Sequence, residues 1–262
     1  RAAPDRIDEP DDLVAIPLDV DRVKGPIADL SENEVSRLCG WCEHPSRAIT
    51  EVDDHTAYAS GNRQWSADRI IVCSGNDLQT LFPDVLQNSG LRLCKLQMLK
   101  AIQHNAMRSM PHIASGLTLR HYTSFNACPT LPVLKARIAD ETPELDRFGV
   151  HVMASVFDNG DILLGDSHEY DADISPFDKA EIDELLLREL RKIICLKDWT
   201  IHERWHGIYA KHSQMPVFEC EVMPRIHVFV GTGGAGMTMA FGLQNELGNA
   251  GQEKMRVSEK LN

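Results

Sequence analysis

The chain has 262 residues, 43% hydrophobic and 25% charged, enough for one large globular domain or two modest ones. A formal net charge of -12 argues against a nucleic-acid-binding surface, and no apolar run approaches the ~20 residues of a membrane helix. Seven scattered cysteines in a chain with no visible secretory signal read as reduced thiols of a cytoplasmic protein.

Residues 1–36 are acidic and interrupted by Pro4, Pro10, Pro17 and Pro26, which predicts irregular surface chain with a short strand near 13–16. Because the first residue is Arg1 and not Met, a longer N-terminal part is expected. Cys39-Gly-Trp-Cys42 is the one close cysteine pair; no second pair or following helix supports a zinc or redox role. Residues 48–52 and 56–59 are strand-like around Asp53-Asp54-His55, and Gly61-Asn62 turns into 64–68, which predicts a small β-meander. The apolar run 69–73 reads as a buried strand of a parallel sheet. It ends at Ser74-Gly75-Asn76-Asp77. There a ligand could meet backbone, or Asn76 or Asp77 could simply cap a helix. A short helix is expected over 78–89, with Pro83 near its middle.

Strands are expected at 91–102 and 117–122, and a helix at 131–142. Asp158-Asn159-Gly160-Asp161 joins 150–157 and 162–165 as a hairpin. Ile182, Leu185, Leu186, Leu190 and Ile193 recur at helical spacing and predict a helix over 177–196. Residues 93–222 therefore form a block inserted between the strand ending at Cys73 and the strand 226–230. That last strand runs into Gly231, Gly233, Gly234 and Gly236, then into a helix over 235–247 interrupted at Gly242. Strand, glycine loop and helix start gather free backbone N–H groups and a positive helix end at one point, suited to anionic oxygens. A tight turn with glycines for packing remains the plain alternative. The spacing Gly231-x-Gly233-x-x-Gly236 matches the dinucleotide fingerprint as a string. The tail 248–262 is polar and offers no following strand, which disfavours an NAD-type dehydrogenase.

Three clusters could carry chemistry. His168 lies in the polar string Gly165-Asp-Ser-His-Glu-Tyr170. In 203–211, strand alternation puts Arg204, His206 and Ile208 on one face and Trp205, Gly207 and Tyr209 on the other. The Arg and His could hold an anionic substrate, or could be solvated charges of an edge strand. Arg120-His121-Tyr122 and Lys95 add further polar and cationic groups. No Gly-x-Ser-x-Gly, His-Glu-x-x-His or Walker loop is present, which favours chemistry carried by a cofactor.

Taken together, the loop Gly231 to Thr238 and the strand-to-Ser74-Gly75 junction resemble the D-amino-acid-oxidase-like FAD-dependent oxidoreductases. Cys94-Lys-Leu-Gln-Met98, Gly165-Asp-Ser-His-Glu-Tyr170 and Arg204-Trp-His-Gly-Ile-Tyr-Ala-Lys211 resemble a bacterial subgroup associated with phosphonate metabolism. The resemblance runs from about Glu51 to Leu243. It implies an α/β fold in which a partial Rossmann-like FAD domain (48–92 and 223–262) is interrupted by an antiparallel-sheet substrate domain (93–222), after an irregular segment 1–47. It implies FAD as cofactor, contacted by Ser74, Gly75, Gly231, Gly233, Gly234, Ala235, Gly236, Met237 and Thr238. It implies oxidation of the carbon next to an amine in a small anionic substrate, an amino acid or aminophosphonate, by hydride transfer to flavin N5. Arg204, His206, His168, Tyr122 and Lys211 would surround that substrate. Oxygen or another acceptor would be the partner, with no nucleic acid and no membrane; nothing sets the oligomeric state. The family's first βαβ unit, which holds the ADP half of FAD, has no counterpart in 1–47. A fragment of a longer protein, or a degenerate copy reduced to a non-catalytic binding module, is therefore expected.

Overall fold

The structure is a computed structural model describing residues 5–6, 13–17, 49–60, 63–103, 111–172, 174–239 and 242. The expectations for the cysteine pair Cys39 and Cys42, the turn Gly61-Asn62 and the last helix beyond Gly242 lie outside the described residues. The chain divides into two compact units, Arg1–Leu91 with Ala210–Asn262, and Arg92–Tyr209.

The first unit opens with β1 (Asp5–Arg6), β2 (Leu13–Pro17), β3 (Ile49–Asp53), β4 (Thr56–Ala59), β5 (Arg63–Ser66) and β6 (Arg69–Cys73). Asp54 and His55, both at positive φ, turn β3 back on β4, and the meander closes in the order β1-β5-β4-β3. The middle of β6 is apolar, and Ile70, Ile71 and Val72 are all buried. The helix expected over 78–89 is shorter: α1 is Pro83–Gln87. Pro83 stands in its first turn, where a missing N–H and a fixed φ do no harm. Asp77 does not cap it. Its Oδ1 accepts the amides of Gln79 and Thr80 in a local turn.

The second unit holds β7 (Leu91–Ile102), β8 (Ile113–Ala114), α2 (Leu131–Glu141), α3 (Pro143–Arg147), β9 (Met153–Val156), β10 (Asp161–Gly165), β11 (Glu169–Asp171), α4 (Ala180–Leu190) and β12 (Ile201–His212). β7 and β12 each cross from one unit to the other at one end. The sheet order is β11-β7-β10-β9-β8, with β12 also pairing β7. Gly160, at φ 91, makes the β9–β10 hairpin turn. Leu99, Ala101, Ile162 and Leu164 pack one sheet face against Ile138, Leu145, Ile182, Leu186 and Leu190 of the helices. Residues 117–122 are not a strand: Gly116–Arg120 is a 3-10 helix. The amides of Thr118 and His121 bond back to Ser115 and Thr118, and the Arg120 guanidinium folds onto the carbonyls of Leu117 and Val150. The helix expected over 177–196 is likewise shorter. The Lys179 amide is held by Gln97 Oε1 before α4 begins, and after Leu190 the chain turns on that residue's carbonyl.

The chain then returns to the first unit through β13 (Phe218–Met223) and β14 (Ile226–Val230). The order is β13-β14-β6-β2, and β14 runs parallel to β6 with Ile226 beside Ile70 and Val228 beside Val72. Ile70, Val72, Leu86, Ile226, Val228 and Val230 form the core with Val52 and Ala57. Among the described residues no helix is long and apolar enough to cross a membrane.

Candidate functional site

Two features of the first unit converge because β6 and β14 are parallel neighbours. Their carboxyl ends leave the sheet at one edge, the edge at which open α/β sheets receive ligands. From β6 the chain enters Ser74-Gly75. Ser74 is 3% exposed, and its Oγ has no hydrogen-bond partner among the described residues. Gly75 sits at φ +62, and a Cβ there would meet nothing within 4 Å, so its backbone is open to a ligand. From β14 the chain enters Gly231, at φ +83, and Gly233, at φ +58. Gly233–Ala235 is a 3-10 turn that continues as helix through 236–239. A Cβ on Gly236 would stand 2.6 Å from Thr232 Oγ1, so the turn closes this tightly only around glycine. Gly234, Met237 and Thr238 are exposed, and Ala235 is half-buried. Lys211, the last cation of the 203–211 run, pairs its backbone with Thr232 beside this loop. Cys73, next to Ser74, offers no nucleophile, since burial pushes its thiol up to about 11. An orphaned buried hydroxyl, open glycine backbone and the amides of a helix start fit a flat group with acceptor atoms along one edge, as a flavin ring has.

In the second unit the chain around His168 is zipped to the strand before β9. His151 and Asp166 exchange backbone hydrogen bonds of 3.1 and 2.8 Å, and the His168 amide donates to the Phe148 carbonyl. Gly149, at φ +54, lies so close that a Cβ would stand 2.7 Å from the His168 carbonyl oxygen. His168 Nε2 is 3.3 Å from His151 Nε2 and 2.9 Å from the Tyr209 hydroxyl, and its Nδ1 is 3.2 Å from His121 Nδ1. Burial, with Cys94, Tyr170 and Asp166 adding to it, holds the Tyr209 phenol above its ordinary range. Tyr122 is raised in the same sense, by burial first and then by the Asp166 charge.

Arg204 and His206 behave differently. On the face of β12 opposite Tyr209, Arg204 Nε donates to Asp183 Oδ2 at 2.8 Å, and His206 Nδ1 lies 2.8 Å from Asp178 Oδ1. Asp178 also pairs with the buried Lys95 at 2.9 Å. The structure thus joins His168 to Tyr209, puts Tyr122 within electrostatic reach of Asp166, ties Arg204 and His206 to carboxylates, and sets Lys211 beside the glycine loop. His151, Thr118 and the role of Asp166 were not anticipated from sequence. Continuing the Asn159-Gly160 hairpin past β10 in the same register would set His151 opposite Ser167; a one-residue shift after Gly165 sets it opposite Asp166 instead.

The family model described as FAD dependent oxidoreductase (DAO) matches residues 41–248. Glycine oxidase from Geobacillus kaustophilus is similar at 12% identity and TM-score 0.50, over 75% of this chain and 45% of that one. L-proline dehydrogenase from P. horikoshii is similar at 14% identity and TM-score 0.54, over 78% and 49%. NikD, an amino acid oxidase of nikkomycin biosynthesis, is similar at 10% identity and TM-score 0.55, over 79% and 52%. At such identities the likeness is one of α/β fold, and the chain spans about half the length of these solved structures. No curated protein matches the chain. By the extent of the family match the chain belongs to the FAD dependent oxidoreductases of the DAO family, and its cofactor is FAD.

Proposed function

We propose that this chain is part of a flavoenzyme that oxidises the carbon next to an amine in a small anionic substrate, an amino acid or an aminophosphonate. The reading is carried by the paired carboxyl ends of β6 and β14, which present Ser74-Gly75 and Gly231 to Thr238 at one sheet edge. When bound, FAD supplies a ring that takes up a hydride at N5. Ser74 Oγ would then have a hydrogen-bond partner, and the first-turn amides at Gly233 to Ala235 would favour negative charge on the bound ring. Lys211 joins the same loop through its backbone pairing with Thr232. In the second unit the half-buried phenol of Tyr122 is the substrate-facing group. It stays neutral at physiological pH and can accept a hydrogen bond from a neutral amine. Arg204 and His206 frame the face of β12 opposite Tyr209 through Asp183 and Asp178. The named neighbours, oxidases and dehydrogenases of amino acids, support an amine substrate; the Cys94, Gly165 and Arg204 motifs support an aminophosphonate. The five described cysteines form no disulfide with one another, which suits a reducing compartment such as the cytoplasm.

The test is anaerobic mixing of the FAD-loaded, full-length protein with an aminophosphonate, with glycine, and with analogues that lack the amine. Bleaching of the oxidised flavin band by an amine, but not by its deaminated analogue, is the expected result. A protein that holds FAD yet is bleached by no amine overturns the substrate reading. Failure to take up FAD at all favours the non-catalytic binding module.

A further inference from the structure

Three buried side chains of the second unit point their ligand atoms at one spot. His151, Asp166 and His168 are 1%, 5% and 7% exposed, and one ligand atom from each lies within 4.8 Å of the other two. Hydrogen bonds alone serve this cluster poorly. His168 Nε2 faces both His151 Nε2 and the Tyr209 hydroxyl, yet one ring nitrogen carries one proton or one lone pair. Asp166 Oδ1 lies 2.8 Å from His151 Nε2 but outside hydrogen-bond geometry, and it has no hydrogen-bond partner among the described residues. A buried carboxylate oxygen in that state is unfavourable.

A cation at the convergence point would use both Nε2 lone pairs and Asp166 Oδ1 at once. The 3.3 Å between the two Nε2 atoms suits it. Tetrahedral bonds of about 2.0–2.1 Å place two nitrogen ligands about 3.3 Å apart. The outward sides of the rings are arranged for the same end. His151 Nδ1 lies 3.4 Å from Thr118 Oγ1, and His168 Nδ1 lies 3.2 Å from His121 Nδ1. Such outer hydrogen bonds keep the proton on Nδ1 and leave Nε2 free to ligate. Two imidazoles and one carboxylate suit a borderline ion, whereas calcium and magnesium prefer oxygen shells.

We propose that His151, His168 and Asp166 bind a divalent transition-metal ion, zinc foremost, with the Tyr209 hydroxyl at the fourth position. The ion would clamp residues 148–151 to 166–168 and anchor Tyr209 from behind. The site lies wholly in the second unit, so it stands or falls independently of the flavin reading.

The test uses the full-length protein, stripped with a chelator and re-equilibrated with Zn(II), then with Co(II). One equivalent of zinc per chain by elemental analysis is expected, together with the intense visible absorption of tetrahedral Co(II). Thr118→Val should weaken binding about 10–100-fold. His151→Gln and Asp166→Asn should abolish stoichiometric binding, and His112→Gln, at an exposed histidine, should leave it unchanged. Since His151→Gln could unfold the unit, the wild-type measurement decides by itself. A folded wild-type protein that takes up no zinc overturns the proposal, as does zinc that a folded His151→Gln or Asp166→Asn variant still holds.

Discussion

Lys95 is the cation whose replacement tests most sharply how the second unit is held together. It is 2% exposed, and its Nζ lies 2.9 Å from Asp178 Oδ1, 3.0 Å from the Ser175 carbonyl and 2.5 Å from the Phe177 carbonyl. Asp178 is 29% exposed and keeps His206 as a second partner. The two ends of this pair are therefore unequal. Lys95→Met removes the buried charge itself; Asp178 and the two loop carbonyls can turn to water, and the loss should be about 2–3 kcal/mol. Asp178→Asn leaves an ammonium nearly sealed from solvent with only neutral acceptors, and should cost about 3–5 kcal/mol. Denaturant unfolding of both variants and the double variant, followed by far-ultraviolet circular dichroism, measures these values and their coupling. The partly exposed residue should be the more costly one to neutralise. If Lys95→Met is as damaging as Asp178→Asn, or both fall within about 0.5 kcal/mol of wild type as ordinary surface changes do, the reasoning fails.

Acid should act on the same pair. Burial alone would raise the Asp178 carboxyl, but hydrogen bonds from Lys95 and His206 outweigh it and hold the pKa below its ordinary value. Its stabilising contribution is thus present above the unfolded carboxylate pKa of about 3.9 and is lost as pH falls through the lower folded value. Asp178→Asn should flatten unfolding titrations in that window. Leu186→Ala, at a fully buried core position of α4, should cost about 2–5 kcal/mol by thermal or chemical unfolding. Alkylation at neutral pH followed by mass spectrometry should label the exposed Cys128 and Cys195 first, Cys73 slowly because burial raises its thiol, and Cys94 only on unfolding because it is buried.

Legibility of the fold followed the range of the deciding interaction. The run 69–73 could be placed in a parallel sheet because burial on both faces leaves no polar alternation. Asn159-Gly160 fixed its hairpin through a backbone geometry that almost only these residues adopt. Residues 117–122 alternate well enough for a strand, yet they form a 3-10 helix, because Arg120 finds its acceptors at Leu117 and Val150. Val150 is distant in sequence, so no local pattern announces it. Pro83 was visible, but whether it interrupts a helix or starts one depends on Asp77 forming its own turn with Gln79 and Thr80.

The site divides along the same line. Strand period alone put Arg204 and His206 on one face of β12 and Tyr209 on the other, and the contacts agree. What period could not supply was the neighbour on each face. The carboxylates that meet Arg204 and His206 come from Asp183 in α4 and Asp178 just before it, and that helix packs there because Ile182, Leu186 and Leu190 need the apolar face of β7 and β10. Cations that look available for an anionic substrate are thus engaged by the element that builds the core. The histidines show the converse. His121, His151 and His168 are unremarkable singly, and they meet only because a 3-10 helix, the approach to β9 and the exit from β10 end at one place. A search for function in such a chain gains more from asking where strand ends converge than from ranking its charged runs.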